Sequence, residues 1–447
     1  MKAIFRVLPL FLLSLVYLCA PRLYAQDWVH TGTNLGNQRI RLAAADFKPM
    51  GGDPETPVLK AVFDSTLYSD LQNAGIFDMV SKSLAPQATP GSPQEIVLGQ
   101  WSAPPANAAM VAFGAFSAGN GRLVVYGWLL DASNTGSPQV LAEQYNEAAS
   151  QDMARTVAHR FADAIINRLG GGINGIAETK IYFVSNRTGS KEIWVMDYDG
   201  ANQHALTHLG TISMSPRISP DNSRIAFSAM GPQGWAIRMY SLDLGRLVSF
   251  PAGGAGATNL SPAWSGDGTK IAFSSDRSGR SEIWVADASG SNAHSLTSFA
   301  RDVSPVWNPR TGGQIAFVSG RTGEPQIYIM DKDGANVQYM TDGGYAISPS
   351  WAPNGGLLAF SWNRKYGPGD PGGQDIYVMD IASKRWLQTT HEAGNNDFPS
   401  WSPDGRHIVF QRQIGHRTQI WSMLADGSEE HQLTTSGDNL MPNWSWK

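Results

Sequence analysis

Cysteine is nearly absent: the 447-residue chain carries one, Cys19. That count excludes a disulfide framework and any site built from clustered thiolates. Charge is also scarce, at 16% of residues, with 34 basic and 38 acidic side chains and a net charge of −4. Nucleic-acid binders normally present a strongly basic face, so this balance argues against one. No apolar run after the first 25 residues approaches the roughly 20 that a membrane-spanning helix needs. Catalytic signatures are missing too. There is no Gly-x-Ser-x-Gly elbow and no His-Glu-x-x-His motif, and His391-Glu392 stands alone.

Turn formers and large aromatics are abundant: 47 Gly, 26 Pro and 15 Trp, in a chain that is 42% apolar. Glycine and proline at this density punctuate many short elements, which favours a mainly β fold over a helix bundle. The apolar fraction is ample for packed cores.

The start of the chain reads as an export signal. Lys2 and Arg6 flank the apolar run Val7 to Leu18, and Leu23-Tyr24-Ala25 is a small-residue ending before Gln26. Cleavage after Ala25 removes Lys2, Arg6 and Arg22, taking the net charge from −4 to −7, and also removes Cys19. The predicted mature product is an exported protein without cysteine.

From Lys180 onward one pattern recurs six times. A Ser-Pro-x-Trp segment leads to a Pro-Asp-Gly type turn, an Ile-Ala-Phe-Ser run, an Ile-Trp-Val-x-Asp run, an Asp-Gly turn and a closing Leu-Thr. Its phenylalanines are Phe183, Phe227, Phe273, Phe317, Phe360 and Phe410, and its prolines Pro216, Pro262, Pro305, Pro349, Pro399 and Pro442. Trp stands two residues after the proline in five units (Trp264, Trp307, Trp351, Trp401, Trp444), and Ile218 replaces it in the other. Four short alternating strands in a period of roughly 45 residues is the signature of a propeller blade rather than a solenoid coil. The phase is offset: Ile181–Phe183 has no Ser-Pro-x-Trp before it, and Met441–Trp444 has no strands after it. The last segment is therefore expected to complete the first blade.

The preceding stretch lacks the repeat. Strands are expected near 40–47, 110–114, 123–130 and 140–144. Helices are expected over 57–74, ended by Gly75, and over 152–169, ended by Gly170-Gly171-Gly172. The predicted organisation is a removed signal (1–25), a flexible segment (26–38), an α+β domain (39–172) and a six-bladed β-propeller (176–447).

Asp197-Tyr198-Asp199-Gly200 and Asp331-Lys332-Asp333-Gly334 resemble calcium loops but lack the distal Glu, and their phase assigns them to hairpin turns. His204, His208, His294 and His431 are assigned to turns. No pattern calls for a metal or a cofactor. Binding is the remaining role, and the segments just before each Ser-Pro vary most between units, as recognition loops do.

Signal, α+β domain and six blades in this order resemble the TolB family, periplasmic propeller proteins of the Tol–Pal envelope system. Met214-Ser215-Pro216 with Ser219-Pro220-Asp221, and Val195-Met196-Asp197-Tyr198-Asp199-Gly200 with Asn202, carry the resemblance. It implies a non-catalytic, monomeric periplasmic protein supporting outer-membrane invagination during cell division. A Pal-like peptidoglycan-associated lipoprotein would bind the propeller mouth at Met214, Ser215, Asn259, Ser261, Val303 and Ser304. A TolA-like inner-membrane protein would bind Gln26, Asp27, Trp28, Val29 and His30. The tail is less aliphatic than the proteobacterial pattern, and Thr258 and Leu260 stand where those proteins tend to carry His and Gly. The alternative is a secreted propeller enzyme or carbohydrate-binding protein acting through the channel.

Overall fold

A computed structural model describes Thr33 and residues 38–253, 256–298, 300–365, 372–391 and 394–447. Residues 1–25, expected to be an export signal, and the segment Gln26–His30 lie outside the described residues.

The N-terminal region is one mixed sheet backed by two long helices. Its strands are β1 (Ile40–Ala44), β2 (Lys48–Pro49), β3 (Phe77–Met79), β4 (Met110–Gly119), β5 (Arg122–Asp131) and β6 (Gln139–Ala148). They run in the order β3-β1-β4-β5-β6, with β2 beside β4; β1 is parallel to both neighbours, and β4, β5 and β6 are antiparallel. The helices are α1 (Thr56–Asn73), a short α2 (Leu98–Ser102) and α3 (Gln151–Leu169). Expectation missed β2, β3 and α2, which are too short to show a period. Ser150 caps α3 by accepting the Met153 N–H. Gly75, at φ +73°, turns the chain out of α1. Phe161 of α3 lies against the sheet where Gly127 leaves room; a Cβ there would sit 2.7 Å from the ring.

Six four-stranded antiparallel sheets follow. Their innermost strands are Asn439–Trp444, Ser213–Ile218, Asn259–Trp264, Asp302–Trp307, Tyr345–Trp351 and Asn395–Trp401, for blades 1 to 6. The first is the C-terminal strand. It pairs with Lys180–Ser185, Asn439 opposite Ser185 and Trp444 opposite Ile181, so the last segment closes the ring as its phase predicted. Closure gives Lys180–Ser185 a partner on its inner side and brings the blade to four strands.

The repeated letters now have physical reasons. The phenylalanines are fully buried between blades. In the Ser-x-Asp turn after the innermost strand, Ser219 and Ser265 donate their hydroxyls to Asp221 and Asp267 at 2.5 and 2.6 Å. The closing threonine is a clamp: Thr207, Thr297, Thr341, Thr390 and Thr434 accept the N–H of Ile193, Ile283, Ile327, Ile376 and Ile420 at 2.9 to 3.1 Å. The Asp-Gly turn must also be glycine for space. At Gly334, φ is +88° and a Cβ would meet the Leu296 carbonyl of the preceding blade at 2.4 Å. His204, His294 and His431 lie in the two-residue outermost strands rather than in turns. They pair with Val195, Val285 and Ser422, a pairing too short for sequence alternation to reveal.

Candidate functional site at the propeller mouth

Every innermost strand breaks register at the same place, between Met214 and Arg217, Leu260 and Ala263, Val303 and Val306, Ile347 and Ser350, Asp397 and Ser400, and Leu440 and Asn443. Proline dictates this. It cannot donate to a ladder, so a proline inside a strand requires a bulge. The residue before it is pushed from the right-handed region, and here it turns left-handed. Ser215, Ser261, Ser304, Ser348, Phe398 and Met441 all have φ between +51° and +55°.

The bulges are stitched to their neighbours. The Ser261 and Ser304 N–H groups donate to the hydroxyls of Ser228 and Ser274 in the preceding blade, each at 3.0 Å, and Met441 N–H donates to Gln411. This is what the Ser of Ile-Ala-Phe-Ser does. The result is a rigid collar around the channel entrance.

One step before the bulge stand Met214, Leu260, Val303, Ile347 and Leu440, all half-buried and apolar. Blade 6 places Asp397 there. Burial raises its pKa, while the Ser361 hydroxyl (2.5 Å), the Ser348 hydroxyl and the Phe398 N–H (2.7 Å) partly offset this. An apolar ring with one carboxylate suits protein recognition, in which apolar anchors sit beside a few fixed polar groups.

The residues expected at the mouth divide into two kinds. Met214, Ser261, Val303 and Ser304 are half-buried on the collar. Ser215 is 9% exposed and lies against Met441. Asn259 is only 1% exposed, and its amide is spent inside the blade, donating to the Ala257 carbonyl and accepting from Arg277.

Arg277 belongs to a device that sequence reading missed. Arg187, Arg277 and Arg321 each donate Nε–H to the serine two residues earlier and reach Asn439, Asn259 and Asp302 on an innermost strand. Each guanidinium also stacks on an aromatic ring of its own blade, with centroid distances of 4.1 Å to Trp194, 4.3 Å to Trp284 and 4.7 Å to Tyr328. The recurring Ser-x-Arg was the available signal.

A second polar cluster joins the N-terminal region to the propeller. Asp70 of α1 accepts from Tyr198 Oη (2.6 Å) and pairs with His159 Nδ1 of α3 (2.7 Å). Arg155 of α3 donates to Asp199 at 2.8 Å, and Lys180 to Asp197 at 2.5 Å. The carboxylates of this calcium-like turn are thus matched by cations. His407 donates through Nδ1 to Asp404 (3.1 Å) and through Nε2 to the Asn73 carbonyl (2.7 Å). Both ring nitrogens face acceptors, which fits an imidazolium. Burial disfavours that charge, but Asp404 and the Asn73 carbonyl outweigh it and raise the His407 pKa. Asp404 in turn drops to about 2 despite its burial, because His407 lies beside it.

Among the described residues, no three His, Cys, Asp or Glu side chains converge as a metal site. No helix among them is long and apolar enough to cross a membrane.

Fold and collar define a six-bladed β-propeller protein with an N-terminal α+β region. The TolB beta propeller domain model matches residues 167–367 and 343–447. The chain belongs to the TolB propeller family. It is 32% identical over 202 residues to a protein TolB homolog of Chlorobium chlorochromatii, covering 45% of this chain and 44% of that one. It is 28% identical over 225 residues to the Tol-Pal system protein TolB of Actinobacillus succinogenes, covering 50% and 51%. The chain thus spans about half the length of these curated relatives. The crystal structure of TolB from Acinetobacter baumannii shares the fold, with a TM-score of 0.75 at 23% identity over 92% of this chain and 97% of that one.

Proposed function

We propose that this protein is the non-catalytic propeller component of a Tol–Pal-type envelope system, exported to the periplasm after loss of residues 1–25, and acting as a monomer in outer-membrane invagination at division. Its working parts are an N-terminal segment (26–38), an α+β domain (39–172) and a propeller (176–447). A Pal-like lipoprotein docks on the collar, and a TolA-like protein captures Gln26–His30. The observation that carries this reading is the collar itself: an apolar ring with one carboxylate, held by six bulges, in a chain of the TolB propeller family. Met214, Ser261, Val303 and Ser304 make the contact surface; Ser215 and Asn259 shape the backbone beneath it.

Calorimetry with the soluble domain of the Pal-like lipoprotein from the same envelope tests the reading. Wild type is expected to bind at about micromolar Kd or tighter, and Val303→Glu more than tenfold more weakly. No heat with wild type, or equal affinity for Val303→Glu, overturns it. If the two sites are coupled, TolA binding shifts Pal affinity by the factor that Pal imposes on TolA binding, and removing residues 26–38 changes Pal affinity. Identical affinities remove the coupling.

A further inference from the structure

At the far end of the innermost strands, the residue between Pro and Trp faces the channel. Four blades place Ala263, Val306, Ser350 and Ser400 there and a fifth Asn443; blade 2 places Arg217. These residues line a cavity of about 90 Å³ walled by the tryptophans of the repeat, Trp264, Trp307 and Trp401 among them. That volume holds several waters or one small solute.

Among the described residues, Arg217 is the one cation lining this cavity. The only hydrogen bond of its guanidinium among the described residues is from Nη1 to the carbonyl of its own neighbour Pro216, at 2.8 Å. A guanidinium carries five N–H donors, so most of this one stays unspent. No carboxylate pairs with it among the described residues. Burial depresses its pKa to about 10, with no acid nearby to offset the effect. Asn443 and Ser400 of the lumen are already matched: Asn443 accepts from Ile218 N–H and donates to Ser400, whose hydroxyl also accepts from Trp444 N–H. Arg217 is half-buried, an unpaired cation drawn partly out of water is costly to keep, and a neutral residue serves at this position in the other blades.

We propose that the Trp-walled end of the channel is a carboxylate site with Arg217 as its anchor. A single cation matches a monoanion better than a doubly charged phosphate. The guanidinium edge fits the two oxygens of a carboxylate, and the tryptophans with Ala263 and Val306 accept a short apolar stem. Such a group belongs either to a free aliphatic or aromatic acid or to the C-terminus of a peptide. The site lies at the opposite end of the strands from the collar and does not depend on the function proposed for it.

Tryptophan fluorescence and calorimetry on the full mature protein test this with butyrate, benzoate, and a short apolar peptide carrying a free or an amidated C-terminus. Saturable binding of at least one carboxylate is expected, weakened at least tenfold in Arg217→Ala and partly retained in Arg217→Lys. Binding of the small acids assigns a free ligand; binding of the free-ended peptide alone assigns a chain terminus. Melting curves of the variants verify folding, and Ala at this position is already native to blade 3. Absence of saturable binding by all four probes, or binding unchanged in Arg217→Ala, overturns the proposal. Equal affinity for inorganic phosphate overturns the carboxylate assignment.

Discussion

The propeller and the seam that joins it to the N-terminal region are held together by opposite means. Inside the ring, each polar device is small, neutral or stacked, and repeated: a threonine clamp, a bulge N–H on a serine, an arginine lying on a ring. At the seam the devices are unique and charged, with two buried histidines, two buried aspartates and a tyrosine hydroxyl meeting once each. Repetition spreads stability over many modest contacts. The seam concentrates it in a few groups whose loss leaves a partner stranded. Damage to one blade should therefore be graded, and damage to the seam abrupt and dependent on pH.

Ring closure is the most direct way to break the first half of that contrast, since there the propeller depends on one strand. Deleting Asn439–Lys447 strips the inner partner from Lys180–Ser185 and removes Trp444, whose indole donates to Thr179 at 2.8 Å. Calorimetric melting should fall by at least ~10 °C; an unchanged Tm sinks the closure argument.

His407→Ala probes the seam next. It leaves Asp404 buried without its cation, at an expected cost of about 3–5 kcal/mol. The pH profile carries the signature. His407 is raised from 6.5, so its contribution is complete below that value and fades as pH climbs through the raised one. Asp404 is lowered from 3.8 to about 2, so its contribution is present above 3.8 and fades as pH falls through 2. Denaturant melts of wild type and variant should differ most between pH 3.8 and 6.5 and converge on either side. A gap that does not vary with pH contradicts an ionic pair.

Two glycines sharpen the account of the ring. Gly334→Ala combines a left-handed backbone with a clash against the Leu296 carbonyl and should cost roughly 2–4 kcal/mol. Gly312→Ala has φ +59° but open space, and should cost roughly 1–2 kcal/mol. Equal losses in urea melts would mean that the inter-blade contact contributes nothing.

The smallest effect belongs to the tryptophan ring. Trp264, Trp351 and Trp401 donate their indole N–H groups to the carbonyls of Arg217, Val306 and Ser350 in the preceding blade. Trp401→Phe keeps most of the packing and loses one such bond, for about 1 kcal/mol. Trp307, whose indole N–H is buried without a partner, should tolerate the same change at lower cost.

Much of this was legible in the sequence. Phe at each period, Pro-x-Trp, Asp-Gly and the unpaired ends gave blade number, phase and closure, because each blade solves the same local problem with the same letters. The Ser-x-Arg stacks were legible in principle and passed over, since arginine carries no apolar period. Asn259 illustrates the limit: its place before Ser-Pro put it at the mouth, yet its amide turns inward to Arg277.

Composition and periodicity by themselves determined a mainly β, cysteine-poor ring of six blades preceded by an α+β region, because hairpins and strands obey short-range rules that residues two to five apart can state. Only the tertiary structure decided that His159 meets Asp70 across 89 positions and that His407 meets Asn73 across 334. It also decided that one arginine among six equivalent positions stands in a tryptophan-walled lumen without a counter-ion among the described residues. Contacts made once, between distant residues, leave no period to read, and their charge states are set by burial that exists only after the chain has folded.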